Sequence, residues 1–73
     1  MDNEIQMEAV VSSNVHSVGF DAATGRIRVK FKTGGLYEAS GVTQADYDAF
    51  KSAKSIGQHF NKIMKTAFVF KKV

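Results

Sequence analysis

The sequence predicts an α+β fold: a three-stranded antiparallel meander followed by two helices on one face of the sheet, in the order β-β-β-α-α. Three observations predict it. From Arg26 to Lys32 the chain reads Arg-Ile-Arg-Val-Lys-Phe-Lys, alternating cations with apolar side chains, which is the period-two pattern of a strand with one buried and one wet face. Turn signals bracket that strand at Asp21–Gly25 and at Thr33-Gly34-Gly35, so its neighbours join it by short antiparallel connections. Beyond Gly41 the apolar spacing becomes helical, and two capping patterns open the change.

The elements follow in chain order. Residues 1–8 read as a flexible acidic N-terminal tail, because chain ends fray and Asp2, Glu4 and Glu8 have no basic neighbour in sequence. Residues 9–73 read as a single domain. The spacing of Val10, Val11, Val15 and Val18 changes phase at Ser12-Ser13-Asn14, which predicts a turn or bulge, then a strand from Val15 to Phe20. Asp21 to Gly25 is a loop, Arg26 to Lys32 the central strand, and Leu36 to Ser40 a short third strand. Gly41 ends the sheet. Thr43 caps a helix, with Asp46 as an imperfect capping box, and Tyr47, Phe50 and the Lys54 stem share its face over Val42. Ser55 and Gln58 form a better capping box for a second helix, whose stripe is Ile56, Phe60, Ile63, Met64 and Ala67. Phe68-Val69-Phe70 either extends that helix or adds a short strand, and either closes the core or anchors a partner.

Length and composition bound the function. Seventy-three residues make one small domain, and a core of that size supplies roughly 3–5 kcal/mol. With no cysteine, disulfides and thiolate metal sites are excluded, which fits a reducing compartment. No apolar run approaches the ~20 residues of a membrane span, and the acidic start has the wrong charge for a secretory signal. The expectation is a soluble cytoplasmic monomer with no membrane contact. The formal net charge is +3, but all ten Lys and Arg lie from position 26 onward, against Glu38, Asp46 and Asp48. That half of the chain attracts polyanions or an acidic protein surface.

The cationic row carries the candidate site: Arg26, Arg28, Lys30 and Lys32, joined by Tyr37 if that ring faces solvent beside them. Alternate strand positions lie about 6.6 Å apart, so neighbouring charges repel by less than about 1 kcal/mol in water. The row therefore costs little to keep, and it reads equally as an ordinary solvated face or as a binding surface. If Leu36 is exposed instead, Tyr37 is core and Glu38 points to the face opposite Tyr37, within reach of a basic neighbour.

Catalysis finds little support. His16 and His59 stand far apart and make no metal spacing. Asp46 and Asp48 point to different sides of one helix and form no general acid/base pair. The serines lack a nucleophile-elbow context, and the glycines form no phosphate-cradling loop. No catalytic residue, cofactor or metal is expected; the chain reads as a binding protein.

Several motifs then follow one another in order: Val11-Ser12-Ser13-Asn14-Val15, Val18-Gly19-Phe20-Asp21, the alternating strand, the Tyr37 strand, Gly41-Val42, Tyr47, and Ser55-x-Gly57-x-x-Phe60-Asn61 followed by Ile63. Together they resemble the KTSC domain over about residues 10–68. That short module occurs alone in bacteria and phages and at the C-terminus of some lysyl-tRNA synthetases. The resemblance implies a small antiparallel sheet with helices, and RNA binding is suggested by the synthetase context. The chain departs from the family pattern in three places. Ala39 replaces the second tyrosine of a Tyr-x-Tyr motif, Phe20 stands where a tyrosine is usual, and the proline often found after the residue matching Val42 is absent.

In length and acidic start the chain also resembles small phage-encoded regulators of host bacterial RNA polymerase. That likeness implies binding near the N-terminal part of the β′ subunit, disfavoured sigma-factor association and antitermination, in the host cytoplasm. The alternative is an RNA or single-strand-binding module using the basic strand face.

Overall fold

The structure, a computed structural model, describes residues 5–73. The fold is α+β, with an antiparallel sheet and helices on one face. The sheet has five strands, not the three expected: β1 Glu8–Ala9, β2 Val15–Asp21, β3 Arg26–Phe31, β4 Leu36–Ala39 and β5 Lys71–Lys72. Their spatial order is the chain order, β1-β2-β3-β4-β5, antiparallel throughout. Both additional strands are edge strands of two residues, too short to carry an alternation pattern.

Alternation places the faces as the sequence implies. Ile27 and Val29 are fully buried beneath the helices with Val15, Val18 and Ala39, and Phe31 is half-buried beside them. β2 meets β3 through Val18↔Val29 and Phe20↔Ile27, and the register shifts between Val15 and Ser17, a bulge at His16. Upstream, the predicted turn is present: the Ser12 hydroxyl accepts from the amides of Asn14 and Val15 at 3.3 and 3.2 Å. The β3–β4 hairpin closes through Phe31 N–H to Gly35 carbonyl at 2.8 Å, with Gly34 at φ 104°.

Helix α1 spans Gln44–Lys51. Its capping box is complete: Thr43 Oγ1 accepts from Asp46 N–H at 3.1 Å, and Thr43 N–H donates back to Asp46 Oδ2 at 3.2 Å. Tyr47 and Phe50 bury its inner face, and Tyr47 stacks on Phe20 at 4.9 Å between ring centroids. Lys54 lies beyond the helix end and is exposed, so it does not share that stripe.

The second helical segment begins at α2, Ile56–His59, capped by Ser55 Oγ accepting from Gln58 N–H at 3.3 Å. It runs on through a π-helical turn, Phe60–Met64, into α3, Lys65–Ala67. The π turn corrects the expected stripe. Its wider winding carries Met64 to the core with Phe60 and swings Ile63 out to 51% exposure, where three-residue α spacing would have buried it. Ala67 is exposed as well. Phe68 is extended and Phe70 packs on Phe60 at 4.8 Å, so this stretch leads to β5 instead of prolonging the helix.

The expected tail, residues 1–8, is divided. Residues 1–4, with Asp2 and Glu4, lie outside the described residues. Ile5 is buried, and Glu8 pairs both with Val18 across the sheet and with the Lys51 ammonium group of α1. Gly19 makes this packing feasible: a Cβ there would lie 2.6 Å from the Gln6 carbonyl oxygen, 2.7 Å from Ile5 Cγ2 and 2.8 Å from Met7 Sδ. Between inward-facing Val18 and Phe20, Gly19 points to the outer face. Residues 5–7 therefore lie across the side of the sheet away from the helices.

Candidate binding surfaces

The outer face was expected to present an open cationic row. The structure divides that row into two halves. Across the strands, Gly19, Arg28, Glu38 and Lys71 form one rung. Arg28 Nε donates to Glu38 Oε1 at 2.7 Å, while Arg26 Nη1 lies 3.5 Å from Glu38 Oε2 and its Nη2 lies 3.9 Å from Asp21 Oδ2. One glutamate thus spans two arginines, each with a quarter of its side chain exposed. Lys30 and Lys32 are exposed and have no ion pair among the described residues. Lys32 sits past the end of β3, its backbone N–H donating to the Asn14 carbonyl.

Tyr37 does not join the row. It is the cross-strand partner of Val29, so it faces the helices, and its ring meets Phe31 edge-on at 5.6 Å. Register explains the separation: Arg28 opposite Glu38 forces Val29 opposite Tyr37, and the two pairs point to opposite sides. The five residues proposed from sequence therefore do not form one surface.

Tyr37 instead lines a cleft of about 330 Å³ where three parts of the chain converge. Phe31 and Tyr37 come from the β3–β4 hairpin, Phe60, Asn61 and Lys65 from the helical segment, and Phe70 from the approach to β5. Phe31 stands edge-on to Phe60 at 5.1 Å, linking the hairpin rings to the Phe60–Phe70 pair. The sequence pattern assigns Phe31 and Phe60 to the core, leaves Phe70 between core and partner anchor, and singles out neither Asn61 nor Lys65 as a site residue. The Ser55-x-Gly57-x-x-Phe60-Asn61 spacing was the available signal.

His16 and His59 occupy unrelated positions. The former has Nδ1 3.1 Å from Ser17 Oγ, and the latter packs beside Phe50. Among the described residues no group of three His, Asp or Glu can hold a metal ion, and no helix is long and apolar enough to cross a membrane. One titration is perturbed by the fold. Burial, aided by the Asp48 carboxylate, raises the Tyr47 phenol above its ordinary 10.0.

A five-stranded meander with a capped helix and a π-interrupted helix on one face defines a small α+β module with two unlike surfaces. The family comparison identifies that module: the KTSC domain matches residues 11–68, and the chain belongs to this family. The crystal structure of a KTSC domain protein from Yersinia pestis is similar at a TM-score of 0.89 and 30% identity, over 96% of this chain and 99% of that one. A Stutzerimonas stutzeri protein described as uncharacterized is 35% identical over 57 residues, covering 78% of this chain and 80% of that protein.

Proposed function

We propose that this chain is a small non-enzymatic binding protein whose partner is another protein. From its likeness to phage-encoded regulators we take that partner to be the β′-subunit region of bacterial RNA polymerase. Binding there would disfavour sigma-factor association and promote antitermination. The observation that carries the protein-binding reading is the Arg26–Glu38–Arg28 bridge. An RNA-reading face needs its cations turned toward phosphates and an aromatic ring beside them. Here two of the cations are spent on Glu38 and Asp21, and Tyr37 is on the other side of the sheet. A face of mixed charge, with Lys30 and Lys32 at its end, suits the polar rim of a protein interface.

The test is a titration of isotope-labelled protein with a β′ N-terminal fragment and, separately, with tRNA. Saturable backbone amide shifts with the fragment, and weak or no response to tRNA, are expected. If RNA binds, Lys30 and Lys32 alone predict a log-log salt slope of about −1.4, against about −3 for four phosphate contacts. A measured slope near −3 would restore the RNA-reading module and overturn the protein-binding proposal.

A further inference from the structure

The aromatic cleft on the helix side is walled by four rings and has unpaired positive charge at its edge. The walls are Phe31, Tyr37, Phe60 and Phe70, from three separate stretches of chain, so the fold assembles the cleft and no local motif does. Thr33, Asn61 and Lys65 are polar residues of its lining, and the side chains of Asn61 and Lys65 lack a hydrogen bond or ion pair among the described residues. Lys72, the cross-strand partner of Tyr37, is exposed and likewise without an ion pair. Among the described residues no carboxylate lines the cleft.

The π turn makes this arrangement. In an α-helix, residues five apart point about 140° away from each other. Here the Lys65 N–H donates to the Phe60 carbonyl, an i→i+5 closure that brings these two residues toward the same side. Buried Phe60 forms the floor, and exposed Lys65 stands over it. Such turns are rare and recur at functional sites, and this one buries Phe60 and Met64 while leaving Ile63 exposed.

The geometry points to a peptide-docking cleft that takes an aromatic side chain from an acidic segment of a partner protein. The ring would enter among Phe31, Tyr37, Phe60 and Phe70, where edge-to-face packing is already the local arrangement. Flanking carboxylates would meet Lys65 and Lys72, and Asn61 is placed to bond the peptide backbone. A space of about 330 Å³ is at the small end of ligand sites, enough for one anchor side chain and the backbone around it. This inference rests on the protein-binding reading above, but it concerns the face opposite the arginine bridge.

The test uses the full chain, isotope-labelled, with three probes: a blocked pentapeptide of four aspartates around a central phenylalanine, the same peptide with a central alanine, and adenosine monophosphate. The phenylalanine peptide is expected to shift the amides of Phe31, Tyr37, Asn61, Lys65 and Phe70 saturably, and to bind at least about tenfold more tightly than the alanine peptide. Lys65→Glu is expected to weaken it about tenfold more than Lys54→Glu, an equal change in net charge away from the cleft. Equal binding of the two peptides, shifts confined to other surfaces, or tighter saturation of the cleft by the nucleotide would each overturn the proposal. A β′ fragment that binds without moving cleft amides would also overturn it while sparing the protein-binding reading. Selective capture of the phenylalanine peptide with no fragment binding would support the cleft and remove the polymerase partner.

Discussion

The two faces of the sheet handle charge in opposite ways. On the outer face Glu38 bridges Arg26 and Arg28, and residues 5–7 lie over Gly19. On the helix side, Lys65 lines the aromatic cleft and Lys72 lies opposite Tyr37, and no carboxylate among the described residues lines that cleft. The face that looks more cationic in sequence has half its charge neutralised internally. The face that looks like plain core carries unpaired cations of its own beside its rings. A run of like charges identifies a strand face, but cross-strand register decides whether that face is available to a partner.

Substitutions can break this comparison, starting with the largest effect. Phe50→Ala removes a fully buried ring on the helix side, and such truncations cost about 3–5 kcal/mol. Against a total of roughly 3–5 kcal/mol for so small a core, the variant is expected to be largely unfolded at 25 °C by far-ultraviolet circular dichroism. Native-like unfolding cooperativity would show that the outer face contributes more to stability than the helix-side core does.

Gly19→Ala acts on the outer face alone. The new methyl collides with backbone and side-chain atoms of residues 5–7, an overpacking worth about 1–3 kcal/mol unless the segment lifts away. Hydrogen exchange should show lost protection at residues 6–9 with the amides of β3 and β4 still protected. Uniform loss across the sheet would mean that the segment is integral to the core.

Glu38→Gln is milder. Partly exposed ion pairs of this kind contribute about 0.2–1 kcal/mol each, so thermal stability should drop only slightly. The same change removes the carboxylate paired with Arg28, while Arg26 keeps its contact with Asp21. Any salt dependence of RNA binding should therefore steepen from about −1.4 to about −2.1, the value for three phosphate contacts. An unchanged slope would mean that the bridge does not govern the charge the face presents.

The smallest effect is confined to alkaline solution. A phenol raised above 10.0 in the folded protein is neutral in both states at lower pH, so its contribution is fully present there. Stability is lost as pH climbs from 10.0 through the folded value, because the unfolded chain ionises first. Tyr47→Phe should leave the neutral-pH melting temperature nearly unchanged and flatten the alkaline decline. A decline of equal slope in both proteins would assign it to other groups.

Most of the architecture was legible because it rests on local rules. The alternation from Arg26 to Phe31 fixed a strand and its buried face, the glycine turn fixed the hairpin, and Thr43 and Ser55 marked both helix starts. What escaped depends on contacts between distant residues. Glu8–Ala9 and Lys71–Lys72 are strands only because β2 and β4 offer them edges, and two residues have no period to read. Ile63 was misplaced because the π turn follows a winding that α spacing does not anticipate. The arginine bridge and the separation of Tyr37 from the cations follow from one register, Arg28 opposite Glu38. The cleft needed three segments brought together, so the sequence showed its residues without showing their proximity.

Strands β1 to β4 follow one another through short connections, so only the two-residue β5 waits on the closure of a long one, residues 40–70. Assembly can proceed as a zipper from the Gly34 turn outward, and the chain contains no proline to impose a slow isomerisation. Refolding is therefore expected as a single exponential on the millisecond scale, quick for a sheet protein. Such speed would let the domain become active soon after it leaves the ribosome.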